Sequence, residues 1–288
     1  MTGTSVVDQI QLGDHVCWTY DDEGRALDAV GRFAAAGLRL GQKVICLTDS
    51  STPQAVRARV KAVGAPTEAG VAAGHLRIVP AAETNLSGDR LAPEAMVTAV
   101  VDEVTRAQQE GYPGVRLCGD MAWVLRSRIT LDDLHRYETA LNPLFLDARV
   151  AGLCLYDRWL FPADRLRALA AAHAGTVGRH TGGTWSPLLR AYRMTDPPGL
   201  RLVGQVDRSN REAFTAVLDD VTGKDRAAAN RPPVLDVSEL SFADVGAASA
   251  LVRADRSSAA GIRLVGCRPA LSRLLGLLDN WTPTGSLA

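Results

Sequence analysis

The sequence lacks most features that would assign a chain of 288 residues to a common functional class. It has no charge excess: 32 basic residues balance 32 acidic ones, so no overall field draws the chain to nucleic acid. No run of about 18 apolar residues occurs, so no membrane-spanning helix is expected. Met1-Thr2-Gly3-Thr4-Ser5 has neither the basic nor the apolar region of a secretory signal. The five cysteines, Cys17, Cys46, Cys118, Cys154 and Cys267, form no CxxC pair, and most sit inside apolar runs. Scattered thiols in odd number read as reduced and buried, and a cytoplasmic location is expected.

Catalytic signatures are missing too. GxxxxGK[ST] is absent, because Gly41-Gln42-Lys43 and Gly223-Lys224 lack the earlier glycine. Without that loop there is no nest of backbone N–H groups to hold phosphates. GxGxxG is also absent, and the first strand–helix turn carries Asp21, Asp22 and Glu23, which repel phosphate. There is no GxSxG elbow and no HExxH or clustered Cys/His set. His15 and Cys17 lie two apart and share a strand face, but two ligands do not make a site. No metal, no cofactor and no catalytic residue is expected, and the chain reads as a non-enzyme.

What is present is a regular alternation of strands and helices. Hydrophobic residues make up 47% of the chain, enough for two cores at roughly 150 residues per domain. Strands are expected at His15–Tyr20, Val44–Leu47, Leu76–Val79, Val115–Cys118 and Val150–Tyr156. Helices are expected after Asp21 and Asp22, from Thr52-Pro53, over Pro93–Glu110 (Met96, Val100, Val101 and Val104 on one face), over Leu131–Phe145 and over Pro162–His173. Near-continuous apolar strands alternating with helices imply a parallel sheet covered on both faces. Gly175–Pro187 breaks the pattern and marks a boundary, giving domains 1–180 and 181–288. The second half reads as a hairpin around Pro197-Pro198-Gly199, a helix capped by Asn210, a strand at Val234–Val237, a helix after Asp244, a strand at Ile262–Gly266 and a helix over Pro269–Leu278.

Leu235-Asp236-Val237-Ser238-Glu239-Leu240-Ser241-Phe242-Ala243-Asp244 resembles the signature strand and turn of STAS (anti-sigma-factor-antagonist) domains, over roughly residues 190–280. The resemblance implies docking to an anti-sigma factor or a related serine kinase. The candidate docking residues are Asp207, Ser209, Asn210, Ser238, Phe242, Asp244, Val245 and Gly246. The family's phosphorylatable serine follows the Phe-x-Asp aspartate by one or two positions, where this chain has Val245 and Gly246. Neither carries a hydroxyl, so a phosphoserine switch is not expected.

The first half resembles the MEDS domain, a sensory module of methanogen and methylotroph regulators, over roughly residues 10–175. The carrying residues are Gly13-Asp14-His15-Val16-Cys17-Trp18-Thr19-Tyr20, Leu117-Cys118-Gly119-Asp120-Met121-Ala122-Trp123, Tyr137-Glu138, Leu141-Asn142 and Leu153-Cys154-Leu155-Tyr156-Asp157-Arg158. The resemblance implies a RecA- or KaiC-like α/β core without the phosphate loop, and a small organic ligand. In open parallel sheets ligands sit beyond the carboxyl ends of the strands. The candidate pocket residues are therefore His15, Cys17, Trp18, Tyr20, Thr48, Asp49, Asp120, Met121, Trp123, Tyr156, Asp157 and Arg158. Each also has a plainer role as helix cap or core side chain.

Three readings follow. The first is a signalling protein whose first domain senses a ligand or partner and whose second docks a regulatory protein, without direct nucleic-acid or membrane binding. The second is an enzyme using Asp49, Asp120 and Asp157 as acid–base groups. The third is a ligand-free scaffold whose strand ends are filled by their own side chains.

Overall fold

The computed structural model describes residues 5–84, 92–178, 185–223, 232–258 and 260–279. Six parallel strands form the first sheet: β1 (His15–Tyr20), β2 (Lys43–Thr48), β3 (Leu76–Pro80), β4 (Val115–Asp120), β5 (Val150–Asp157) and β6 (Gly175–Val177). Their order is β3-β2-β4-β5-β1-β6. The segment read from sequence as a break thus opens with a strand. Gly175–Val177 pairs with Val16–Trp18 along the edge of β1. Three residues are too short for a periodicity to show, and the pairing is made by tertiary contact. The expected boundary at 180/181 lies outside the described residues.

Local chemistry explains the helix starts. Asp22 accepts from the Arg25 N–H at 2.8 Å and opens α1 (Glu23–Arg39). Thr52 caps α2 (Pro53–Ala62), where proline at the first position costs no hydrogen bond. Thr130 and Asp133 form a reciprocal capping box for α5 (Leu131–Leu141), which tightens into a 3-10 turn over Asn142–Phe145. Helices α1, α2 and α3 (Thr67–Ala72) cover one face of the sheet around Phe33 and Val44. Helices α4 (Pro93–Gln109), α5 and α6 (Ala163–Ala171) cover the other around Met96, Leu134, Tyr156 and Leu169. Val101, expected on the buried face of α4, is exposed, and the face that packs is Met96, Val100 and Val104.

The second sheet has order β10-β9-β8-β7. Strands β7 (Leu189–Thr195) and β8 (Pro198–Val206) form the expected antiparallel hairpin, while β9 (Val234–Ala243) runs parallel to β8 and to β10 (Arg263–Val265). Helices α7 (Arg211–Thr222), α8 (Val245–Ser257) and α9 (Pro269–Asp279) pack on it around Phe214, Leu235 and Leu251. Asn210 does not cap α7 with its side chain. It is buried and ties the preceding loop instead, accepting from the Asp207 N–H at 3.0 Å and donating to the Gln205 carbonyl at 2.9 Å.

The two units share an interface. Leu146, just after α5, is buried in the core of the second. Arg190 on β7 donates to both carboxylate oxygens of Asp14, at 2.7 and 3.0 Å. Arg193 bridges Asp147 and Asp220, each at 3.0 Å. His135 on α5 meets Glu212 on α7.

Candidate functional site

At the carboxyl ends of the strands several polar side chains are already engaged. Asp120 accepts from the Ser50 N–H at 2.7 Å and the Ala122 N–H at 3.2 Å. Asp49 is paired with Arg126, and Asp157 accepts from the Trp159 N–H at 2.7 Å. The space left there, beside Tyr20, Thr48 and Asp120, is about 30 Å3, room for about one or two waters. Cys17 and Arg158 face a separate hollow of about 350 Å3 against α6. Asp120 and Asp157, expected to line a strand-end pocket, thus turn back onto the backbone of the loops they follow.

The sizeable cavity, about 460 Å3, lies on one face of the sheet instead, under α4 and α5. Of the twelve candidates it takes only His15, Met121 and Trp123. Its walls are apolar, with Ile45, Leu47 and Val79 from the sheet and Ala99 and Val100 from α4. Arg77, Glu103 and Arg106 ring one end and pair with one another. His15 and Cys154 stand at the other. This volume falls in the usual range for small-molecule sites, roughly 300–1,000 Å3, which are mostly apolar with a few convergent polar groups.

One small residue keeps that room open. Gly152 lies opposite His15 in the β1–β5 register. A Cβ at Gly152 would come within 2.8 Å of the Phe145 ring and 3.2 Å of His15 Cδ2. Phe145 stacks on His15 with ring centroids 4.5 Å apart.

Behind His15 is a buried polar cluster that sequence spacing does not reveal. Glu138 from α5, Cys154 and Tyr156 from β5 and His173 after α6 converge on it. Glu138 Oε2 lies 3.3 Å from His15 Nε2, 3.4 Å from His173 Nε2 and 3.5 Å from the Cys154 sulfur. The Tyr156 hydroxyl donates to the other oxygen of Glu138 at 2.6 Å. Glu138 and His173 are fully buried. Burial alone would raise the Glu138 pKa, but His173 and His15 beside it hold the carboxyl well below the usual carboxylate range. Burial lowers the His15 pKa, with the neighbouring His173 acting in the same direction against Glu138. Burial, reinforced by the Glu138 charge, pushes the Cys154 thiol and the Tyr156 hydroxyl upward.

In the second unit, Phe242 and Val245 are exposed at the β9–α8 turn, with Asp244 between them capping α8 through the Ala247 N–H at 2.8 Å. Asp207 accepts from the Ser209 N–H and hydroxyl at 2.7 and 2.6 Å. Arg211 from α7 lies across Gly246 and pairs with Asp244. Ser238 sits against Gly266 and donates to Asp236 at 2.6 Å. Asn210 is buried, so it supports this surface without facing a partner.

Fold and site together define a two-unit α/β protein: a parallel-sheet domain with an internal cavity, followed by a smaller mixed-sheet domain with an apolar turn exposed. The family model of the MEDS domain (MEthanogen/methylotroph, DcmR Sensory domain) matches residues 14–174, and the chain belongs to that family. A STAS domain of the Mlab type matches residues 191–279. No curated protein matches the chain. Among solved structures, the flagellar accessory protein FlaH from Methanocaldococcus jannaschii is 11% identical, covering 68% of this chain and 80% of its own, with a TM-score of 0.43. The KaiC-like protein PH0186 from Pyrococcus horikoshii OT3 is 14% identical, covering 66% and 84%, with a TM-score of 0.45. The MEDS–STAS pairing suggests a regulatory or signalling role. No helix among the described residues is long and apolar enough to cross a membrane.

Proposed function

We propose that this chain is a non-enzymatic, cytoplasmic signalling regulator. Its first domain takes a small organic ligand, and its STAS domain docks an anti-sigma factor or a related serine kinase. The observation that carries the reading is the cavity of about 460 Å3, apolar along its length, with His15 and Cys154 at one end and Arg77, Glu103 and Arg106 at the other. That chemistry suits a compact molecule, largely apolar along its length and able to carry a polar group at an end. Asp49, Asp120 and Asp157 are engaged by backbone N–H groups or by Arg126, which argues against their use as free acid–base groups. In the STAS domain, Phe242 and Val245 offer the apolar anchors of a docking surface. Regulation there proceeds without a phosphoserine, since Val245 and Gly246 occupy the relevant positions.

His15 ties the two halves of this reading together. It borders the cavity, and its chain neighbour Asp14 is gripped by Arg190 of the second domain. A ligand that shifts His15 thus acts one residue away from the interface, and docking-competent and incompetent populations shift accordingly. The test is a thermal-shift and Trp123-fluorescence titration with short-chain alcohols, ketones and halocarbons. Stabilisation that rises with ligand concentration supports the reading. Absence of any response across the panel, together with ATP turnover that depends on Asp120, would favour the enzyme reading instead.

A further inference from the structure

We propose that His15, Glu138, Cys154 and His173 form a binding site for a divalent transition metal of the zinc class. Their four donor atoms lie within 4.8 Å of one another; His15, Glu138 and His173 are buried, and Cys154 is partly so. Tetrahedral zinc, with bonds of about 2.0–2.3 Å to nitrogen, oxygen and sulfur, places its donors roughly 3.2–3.8 Å apart. Four separations here fall in that range: 3.3, 3.4 and 3.5 Å from Glu138 Oε2, and 3.7 Å from Cys154 sulfur to His15 Nε2.

Proximity alone would fit an ion-paired polar cluster. The outer partners argue further. His173 Nδ1 lies 2.7 Å from the Leu169 carbonyl, which can only accept, so this nitrogen carries a proton. His15 Nδ1 lies 3.2 Å from Asn142 Oδ1. The Asn142 amide is oriented by its nitrogen, which faces the carbonyls of Glu138, Thr139 and Ala172 at 3.2, 2.9 and 2.8 Å. Its oxygen therefore faces His15, and Nδ1 there is a donor as well. In their neutral form both rings aim a lone pair from Nε2 at the same carboxylate oxygen. His173 Nε2 is buried with no hydrogen-bond partner. Two lone pairs and a carboxylate oxygen converging in a buried site repel one another unless a cation, either a proton or a metal ion, sits among them. Metal-ligating histidines characteristically donate their other ring nitrogen to a carbonyl or carboxylate, which fixes the tautomer in this way. Tyr156 completes the arrangement by holding the second oxygen of Glu138, so that the first points inward.

The donor set selects the ion. One thiol, two imidazoles and one carboxylate suit zinc, cobalt or iron and are a poor match for calcium or magnesium, which prefer all-oxygen shells. Binding replaces the Cys154 thiol proton, which leaves to solvent as the sulfur–metal bond forms. His15 and Cys154 also border the cavity, so one edge of the site faces the space where a small molecule would sit. The metal site does not rest on the organic-ligand reading, and either can fail alone.

The test strips the full-length chain with chelator and titrates it with Co2+, then with Zn2+. Uptake of about one Co2+ per chain is expected, with near-ultraviolet thiolate charge-transfer absorption and the visible bands of a four-coordinate ion. Zn2+ should displace it and raise Tm. Cys154→Ser should keep its far-ultraviolet circular dichroism, lose the charge-transfer absorption and bind at least about tenfold more weakly. His173→Gln should weaken binding similarly while retaining the thiolate band at saturating Co2+. No stoichiometric uptake, or an undiminished thiolate band in Cys154→Ser, overturns the inference. If both variants fail to fold, the wild-type spectrum still decides, because a bound ion without thiolate absorption excludes Cys154 as a ligand.

Discussion

Arg190 holds Asp14 with two nitrogens, at 2.7 and 3.0 Å, although the two residues stand 176 positions apart and in different domains. The Asp14 side chain is fully buried and Arg190 is half-buried. The Gln11 N–H also donates to the carboxylate at 3.0 Å. Removing the cation strands a buried charge, which typically costs about 3–5 kcal/mol. Arg190→Ala should therefore destabilise the first domain from within the second. Urea unfolding followed at Trp18 and Trp123 reads this directly, and a loss below about 1 kcal/mol would show the pair to be dispensable.

The second interdomain contact is pH-dependent. Glu212, as hydrogen-bond partner, raises the pKa of His135, partly opposed by burial, while Asp132 and Glu138 add in the same direction as Glu212. A folded pKa above the unfolded value means that the stabilisation is fully present below about pH 6.5 and fades as the pH rises through the folded value. The pair is half-exposed, so its contribution is on the order of 0.5 kcal/mol after solvent screening. Urea midpoints at pH 6 and pH 8.5 should differ more for the wild type than for Glu212→Gln; equal differences would remove the contact from the linkage.

Cavity occupancy has its own variant. Ala99→Leu on α4 adds three carbons at the cavity wall. It should leave Tm within a few degrees, since the space is already there, while abolishing any ligand-induced shift. A shift that persists unchanged places the ligand elsewhere.

At the STAS turn, Gly246→Ser restores a hydroxyl where Arg211 now lies. The incoming Cβ displaces only the far end of a flexible side chain, so the cost is the Arg211–Asp244 pair, roughly 0.5–1 kcal/mol. A thermal melt measures it, and loss of more than about 3 kcal/mol would mean that Arg211 anchors the α7–α8 packing rather than merely covering the glycine.

The strands were legible because their burial is written in runs of apolar residues, and β1 through β5 fall where those runs lie. Strand β6 was not, because three residues carry no period. The cavity escaped notice for a different reason: the rule that ligands sit at strand ends ranks polar residues there, yet Asp120 and Asp157 spend their oxygens on neighbouring N–H groups. The buried cluster draws its members from four elements far apart in the chain, so no local spacing could show it: sequence places Cys17 beside His15, while the fold brings Cys154 to it. One trace was available. Glu138 interrupts the apolar stripe of Leu134, Tyr137 and Leu141 on α5, and a carboxylate on a buried helix face needs a partner of opposite charge.

Gly152 gives the first domain a handle that no chemical ligand provides. Where β5 passes His15, the chain carries a hydrogen in place of a side chain, and a methyl group there would press on Phe145 and on His15 together. Gly152→Ala thus acts as a plug encoded in the gene, present at full occupancy in every molecule. If the proposed coupling holds, pushing that single ring changes docking at the STAS surface with no ligand added.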